Sequence, residues 1–199
     1  MSWISLRSTR RASGPVPFDC PRCQGGEGRR FVMRWWLTLF GHRVVPLSRA
    51  GTFLECGRCG RTFSARAAAT GGPSEDEKAV RSLVAAVVMV DTRIRPPEMK
   101  VARRVLEQQG GLALPAEDLA EELHRMRRRV PDPLRYLTRL ASVLGERGKI
   151  RIIEAIYDVC LADDELHPAE TRLIRAAGEA LDLSPMRVRE AMRRAREDG

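Results

Sequence analysis

The sequence Cys20-Pro-Arg-Cys23 has a counterpart in Cys56-Gly-Arg-Cys59, with 32 residues (24–55) between the two motifs. Zinc in structural sites takes four ligands at the corners of a tetrahedron, and each Cys-x-x-Cys motif supplies two thiolates. The motifs together predict one structural Zn²⁺ ion, bound by Cys20, Cys23, Cys56 and Cys59. A redox-active dithiol pair is the alternative that the same spacing leaves open.

The segment between the motifs contains two stretches rich in aromatic and β-branched residues, 31–40 and 44–54. This composition is typical of strands. We therefore expect a zinc ribbon over residues 18–66, in which a β-hairpin joins two metal-binding turns. Residues 1–17, which are basic and rich in serine, are predicted to form an N-terminal tail.

The positive charge of the chain is confined to its N-terminal part. Residues 1–70 contain 12 Arg and 3 acidic residues, a net charge of +9, whereas residues 71–199 contain 23 basic and 23 acidic residues. An anionic partner should therefore bind to the ribbon.

Aromatic residues of the ribbon stand beside arginines, as in surfaces that bind single-stranded nucleic acid by stacking and phosphate contacts. The same residues would suit anionic lipid headgroups. A third interpretation is that the aromatic rings fill the small core and the arginines are merely solvated. The candidate face consists of Arg30, Arg34, Trp35, Trp36, Arg43 and Arg49.

Residues 67–73, Ala-Ala-Ala-Thr-Gly-Gly-Pro, are predicted to be a linker to an all-helical domain over 74–199. Ser74 and Glu77 form the capping-box pattern that begins a helix. From there the apolar spacing predicts seven helices, at about 74–91, 96–110, 115–130, 133–144, 149–162, 168–183 and 185–199. The expected fold is thus a small β zinc ribbon followed by a helical bundle.

An internal repeat runs through this predicted bundle. Residues 91–103 align without gaps on residues 163–175, with an offset of 72. Each copy follows an apolar helix with an Asp, a tight turn, and a Pro and a Glu that begin the next helix. The repeat predicts two helical hairpins of one design that face each other around a pseudo-two-fold axis.

The repeated unit is clearest in Val159-Cys-Leu-Ala-Asp163-Asp-Glu-Leu166-His-Pro168-Ala-Glu170. It resembles the TerB-like domain, a helical fold of tellurite-resistance TerB proteins and of the N-terminal part of a membrane-anchored J-domain co-chaperone. The resemblance covers about residues 74–183, and the cysteine motifs look like the zinc ribbons found beside such domains. It implies a binding module in tellurite or general chemical-stress response, within membrane-associated complexes.

The resemblance also makes the acidic residues of the two turns candidate functional carboxylates. Divalent cations favour such clusters of hard oxygen ligands. Alternatively, the glutamates cap helix N-termini and the aspartates accept hydrogen bonds from turn N–H groups. The candidate acidic residues are Asp91, Glu98, Asp163, Asp164 and Glu170.

No catalytic arrangement is evident, because His42, His124 and His167 are scattered and no nucleophile has an identifiable base. We expect a non-enzymatic protein with protein partners and no small-molecule substrate; the alternative is a nucleic-acid-binding regulator. No apolar stretch reaches the roughly 20 residues of a membrane span. We therefore expect a cytoplasmic protein, located peripherally at the inner membrane face if its partners are membrane-associated.

Metal removal should unfold the ribbon and leave the helical domain intact, because about 50 residues bury too small a core to fold without the metal. Circular dichroism with and without a strong chelator measures this. Loss of the ribbon's β signal with retention of the helical signal is expected, and an unchanged spectrum would contradict the prediction.

Overall fold

The computed structural model describes residues 3–40, 42–89, 96–163 and 165–198, without the side chains of residues 4–7, 48–50 and 198. Contacts within the chain divide it into two units. Met1–Glu75 with Ser142–Gly145 form one unit, which we call the sheet unit. Asp76–Ala141 with Glu146–Gly199 form the other, the helical unit.

The sheet unit contains one antiparallel sheet in which four strands lie side by side in chain order. The strands are β1 (Ile4–Pro17), β2 (Glu27–Leu39), β3 (His42–Cys56) and β4 (Thr62–Ser64). β2 and β3 pair along most of their length, which confirms the predicted hairpin between the cysteine motifs. β4 pairs only with Phe53–Glu55, so the rest of that edge of β3 adjoins no other strand of the described sheet.

The predicted N-terminal tail is wrong, because most of residues 1–17 form β1. This strand pairs with β2 on the side opposite β3, with Arg7 opposite Trp36 and Arg11 opposite Val32. Pairing gives hydrogen-bond partners to backbone groups of β2 that would otherwise be bare at an edge. Side chains reinforce it: Trp36 Nε1 donates to Thr9 Oγ1 at 3.0 Å, and the Arg10 guanidinium lies 3.7 Å from the centroid of the Phe31 ring.

The predicted linker over 67–73 also differs from the structure, because its alanines belong to a short helix, α1 (Ala65–Thr70). The Ser64 hydroxyl caps this helix by accepting a hydrogen bond from Ala67 N at 3.3 Å. Gly71 ends it in the left-handed conformation, with φ of 65°. Alanine has the highest helix propensity, which outweighs the linker-like appearance of the segment.

The helical unit contains seven helices after residue 70 among the described residues, as predicted. They are α2 (Glu75–Val88), α3 (Pro96–Gln108), α4 (Ala116–Arg129), α5 (Pro133–Leu140), α6 (Glu146–Cys160), α7 (Pro168–Ala180) and α8 (Pro185–Asp198). The order of a β-sheet region followed by a helical domain confirms the predicted fold class. The fourth predicted helix, over 133–144, is shorter in the structure and ends at Leu140.

The core of the helical unit is formed by the apolar faces that the spacing predicted. On α6 the fully buried side chains include Ile152, Ile153 and Ile156, and on α4 they include Leu119 and Leu123. Among the described residues, none of the helices combines the length and the apolar character needed to cross a membrane.

Gly178→Ala should destabilise the helical unit, because α7 and α8 approach each other too closely there for a side chain. A Cβ at Gly178 would lie 2.4 Å from Val188 Cγ2. Overpacking costs about 1–3 kcal/mol, whereas replacing a helical glycine by alanine gains at most about 1 kcal/mol. Urea denaturation followed at 222 nm should show a lower free energy of unfolding. Arg175→Ala, on the exposed side of the same helix, is the control, and equal stability of both variants would contradict the prediction.

Candidate metal centre and acidic cavity

The two cysteine motifs lie at the ends of the long strands of the sheet unit. Cys20 and Cys23 belong to the turn between β1 and β2, Cys56 is the last residue of β3, and Cys59 follows it in a second turn. The two turns are therefore brought together by the β2–β3 hairpin. Among the described residues, these four form the one group of three or more His, Cys, Asp or Glu side chains whose ligand atoms all lie within 4.8 Å.

The distances between the sulfur atoms match a tetrahedral metal site. The Sγ atoms of Cys20 and Cys59 are 3.7 Å apart, and those of Cys23 and Cys56 are 3.5 Å apart. Four thiolates bound to one zinc ion at about 2.3 Å have sulfur–sulfur separations of about 3.8 Å. The residues therefore fit a four-coordinate metal ion.

Backbone hydrogen bonds shape each turn around the sulfur atoms. In the first turn Gln24 N donates to Cys20 O at 3.0 Å, and in the second Gly60 N donates to Cys56 O at 3.0 Å. Gln24 and Gly60 both adopt positive φ, 53° and 70° respectively. The second turn meets this requirement with glycine, which adopts positive φ without strain.

The pKa values of the cysteine thiols differ because their surroundings differ. Burial opposes ionisation of Cys23, but hydrogen bonds from Gly25 N–H and from the neighbouring thiols lower its pKa to about 7. Burial raises the pKa of Cys20, and it raises the pKa of Cys59 well above its usual range. Four adjacent thiolates need a positive charge between them, which a divalent cation would provide.

The predicted basic and aromatic face is distributed over the sheet. Consecutive residues of a strand point to opposite faces, so Trp35 and Trp36 lie on different sides of β2. Both indole rings are half-buried, whereas Arg30 and Arg43 are exposed and Arg34 is partly exposed. Arg49 lies on β3 opposite Arg34, and its side chain is outside the described residues.

A cavity of about 360 Å³ lies in the helical unit where the two repeated hairpins meet. Helices α2 and α3 supply part of its wall, and α6, α7 and the turn between them supply the rest. The residues that line it are Val87, Val88, Glu98, Val159, Cys160, Ala162, Asp163, His167, Ala169, Glu170 and Leu173.

The structure thus brings together three of the five candidate acidic residues, Glu98, Asp163 and Glu170. The other two, Asp91 and Asp164, lie outside the described residues. The predicted capping role of Glu170 is observed, because its Oε2 accepts a hydrogen bond from His167 N at 2.8 Å. His167 Nε2 also lies 3.6 Å from Asp163 Oδ2.

The carboxylates affect one another and a buried thiol. Burial raises the pKa of Glu170, and the negative charges of Asp163 and Glu98 add to this effect against the opposing influence of His167. Burial, with the charges of Glu170 and Asp163, raises the pKa of Cys160 above its usual range. Cys160 is 1% exposed, so its thiol is buried. It remains a neutral thiol at physiological pH.

The sequence did not identify the apolar wall residues or His167 as site residues. The repeat nevertheless contained a signal for the wall residues. Positions that differ by 72 residues line the cavity in pairs: Val87 with Val159, Val88 with Cys160, and Glu98 with Glu170. The cavity therefore lies between equivalent surfaces of the two hairpins, in agreement with the predicted pseudo-two-fold arrangement. His167 has no such partner among the described residues.

The helical unit also matches a known protein family. The family model described as tellurite resistance protein TerB matches residues 77–193, from α2 into α8. The chain belongs to the TerB family. The match covers both repeated hairpins, so the cavity lies within the TerB domain. Searches of curated proteins and of solved structures each found no match.

Glu170→Gln should flatten the pH dependence of the TerB domain's stability. The pKa of Glu170 is raised above its ordinary value of 4.5 in the folded protein. Its contribution to stability is therefore present below that ordinary value and is lost as pH rises through the folded-state value. Glutamine carries no charge and can still accept the His167 N–H.

Urea denaturation of both proteins at several values from about pH 4 to about pH 7 measures the effect. The free energy of unfolding of the wild type should fall relative to that of the variant as pH rises. Glu179→Gln, which removes an exposed charge from the same helix, is the control. Parallel profiles for the wild type and Glu170→Gln would contradict the prediction.

Proposed function

We propose that this TerB-family protein is a non-enzymatic interaction protein of the response to tellurite or other chemical stress, and that its TerB domain binds a protein partner at the acidic cavity. The observation that supports this most strongly is the placement of the cavity between equivalent surfaces of the two hairpins. Three carboxylates lie against apolar walls there, so both charge and shape are available for recognition.

The lining indicates the chemistry of the partner. Valine and leucine side chains suit the methylene stem of a lysine or arginine, while Glu98, Asp163 and Glu170 suit its cationic head. A basic side chain from a partner protein would thus be held at both ends. Loss of solvent around the carboxylates would strengthen the charge interaction.

Several properties of the cavity favour binding over catalysis. The thiol of Cys160 is held neutral by its raised pKa, which makes it a poor nucleophile. His167 pairs with Asp163 at the rim, and the backbone N–H of His167 is bonded to Glu170. These contacts engage the titratable groups in structural pairs rather than in a nucleophile–base arrangement.

We further propose that the metal of the sheet unit is one structural Zn²⁺. Four thiolates at tetrahedral separations are the typical donor set for zinc, and four protein ligands leave no open coordination position for a substrate. The ion would supply the folding energy that the small apolar core of the sheet unit lacks. Its function is then to hold the strands that carry the basic charge.

A nucleic-acid-binding regulator is the second candidate function, because the net charge of +9 is concentrated in residues 1–70. Phosphate contacts by that charge would give steeply salt-dependent binding. We also propose that the protein is located peripherally at the inner membrane face, where membrane-associated partners would be available to it.

Affinity capture tests the interaction role, with the full-length metal-loaded chain as bait in extracts of its own cells. Glu98→Gln combined with Glu170→Gln should reduce capture of the specific partner by about tenfold, since two charge-assisted contacts are lost. Glu117→Gln combined with Glu121→Gln, on the exposed side of α4, is the matched control and should retain the partner.

Equal capture by both double variants would contradict a role for the cavity. Quantitative mass spectrometry identifies the proteins, and nuclease treatment of the captured material separates the two candidate functions. If capture depends on intact nucleic acid and falls steeply with salt, the regulator is favoured instead.

A further inference from the structure

Exposed apolar side chains are concentrated at one end of the sheet. Six large apolar side chains of the described residues are strongly exposed, and five of them are at the end of the sheet unit farthest along the strands from the cysteines. We call these five the sheet tip: Trp3, Phe40, Val44, Val45 and Leu47. Trp3 is 67% exposed and Phe40 is 70% exposed. The sixth, Met186, is on α8 in the helical unit.

The two aromatic residues of the sheet tip contact each other. Phe40 N donates to Trp3 O at 3.0 Å, and the two rings meet edge to face with centroids 5.2 Å apart. Val45 lies opposite Leu37 in the β2–β3 pairing. The contact between the two rings would reduce the conformational entropy that they lose on insertion.

Arginines are next to the tip in the strand pairing of the sheet. Arg7 lies opposite Trp36 in the sheet, and Arg43 lies opposite Thr38, close to the exposed valines. The acidic residues of the two hairpin strands, Glu27 and Glu55, lie at the cysteine end, and residues 28–54 between them contain none. The tip is thus an apolar surface in a part of the sheet that carries arginines and no acidic residue. Its partner should have an apolar interior and a negatively charged surface.

An anionic bilayer has this combination, whereas other partners match it less well. Aliphatic side chains such as Val44, Val45 and Leu47 offer bases no surface for stacking, so nucleic acid would leave most of the tip exposed. A second copy of the chain would bring arginines against arginines. In a membrane interface, aromatic rings sit at headgroup level and arginines reach the phosphates.

We propose that the sheet tip inserts into the interface of an anionic phospholipid bilayer. Val44, Val45 and Leu47 enter the region of the acyl chains, Trp3 and Phe40 lie at the level of the headgroups, and Arg43 contacts lipid phosphates. The inference rests on the peripheral membrane location proposed above and names the surface responsible for it. It makes no use of the cavity.

Vesicle binding by the full-length metal-loaded chain tests the proposal. All three tryptophans, Trp3, Trp35 and Trp36, belong to the sheet unit, so intrinsic fluorescence reports on it directly. Vesicles containing phosphatidylglycerol should bind the chain and shift its emission to the blue, and brominated lipids should quench it. Vesicles of phosphatidylcholine alone should bind it much more weakly.

Variants locate the contact. Val44→Glu combined with Val45→Glu should weaken binding by about tenfold or more, and Arg43→Gln should weaken it about fivefold. Met186→Glu matches the first variant, since Met186 is 66% exposed but lies on α8, and Arg189→Gln matches the second. Both controls should bind as the wild type does, and circular dichroism confirms that every variant is folded.

Three results would overturn the proposal: equal binding to anionic and neutral vesicles, equal loss in the tip variants and their controls, or tight oligonucleotide binding without vesicle binding. Quenching of the wild type by brominated lipid requires no variant, so a misfolded variant leaves the test intact. Glu98→Gln combined with Glu170→Gln should keep vesicle binding. If vesicles fail to bind while cavity-dependent capture persists, the membrane proposal alone is wrong.

Discussion

Helix α6 is buried along most of its length, and the arrangement of the helical unit depends on this burial. It contacts α3, α7 and α8. Its Arg151 pairs with Asp76, a fully buried carboxylate on α2, so a charge as well as apolar packing ties the two hairpins together. Removing one partner of such a buried pair typically costs about 3–5 kcal/mol. At the other end of α6, the buried residues Val159 and Cys160 line the cavity.

The sheet unit differs from the helical unit in having only a small apolar core. The buried cluster comprises Phe18, Phe63, Ala67 and two of the cysteines. The four sulfurs lie in two turns, one before and one after the β2–β3 hairpin in the chain, which meet at one end of the sheet. An ion bound there would compensate for the small amount of apolar burial. At the far ends of the strands, apolar side chains are exposed instead of contributing to this core. The sulfur cluster and the exposed apolar side chains thus lie at opposite ends of one sheet.

The sequence was most informative wherever a local pattern determined a contact. Cysteine spacing identified the sulfur cluster, and the repeat at an offset of 72 residues identified the two facing hairpins. The sequence was least informative about β1, because strand pairing is a long-range property. In addition, the arginines of β1 obscured the alternation of Ile4 and Leu6 with polar residues. The alanines of α1 were predicted to belong to a linker, and here the ambiguity was local. A linker and a one-turn helix can have the same composition. The position of Trp3 at the same end as the exposed side chains of β3 depends on the pairing of β1 with β2 and could not be predicted.

Strand β4 covers only one end of β3, and the uncovered edge matters when the protein is in concentrated solution. Beside residues 42–52 of β3, the described sheet presents backbone N–H and C=O groups that another extended chain could pair with. Such edges seed strand-to-strand aggregation unless something interrupts them. Pro46 has no N–H to donate, and Arg43, which is exposed, would meet its own copy's positive charge where an identical edge approaches. Arg43 thus opposes pairing between copies of the chain, and neutralising its charge would favour self-association.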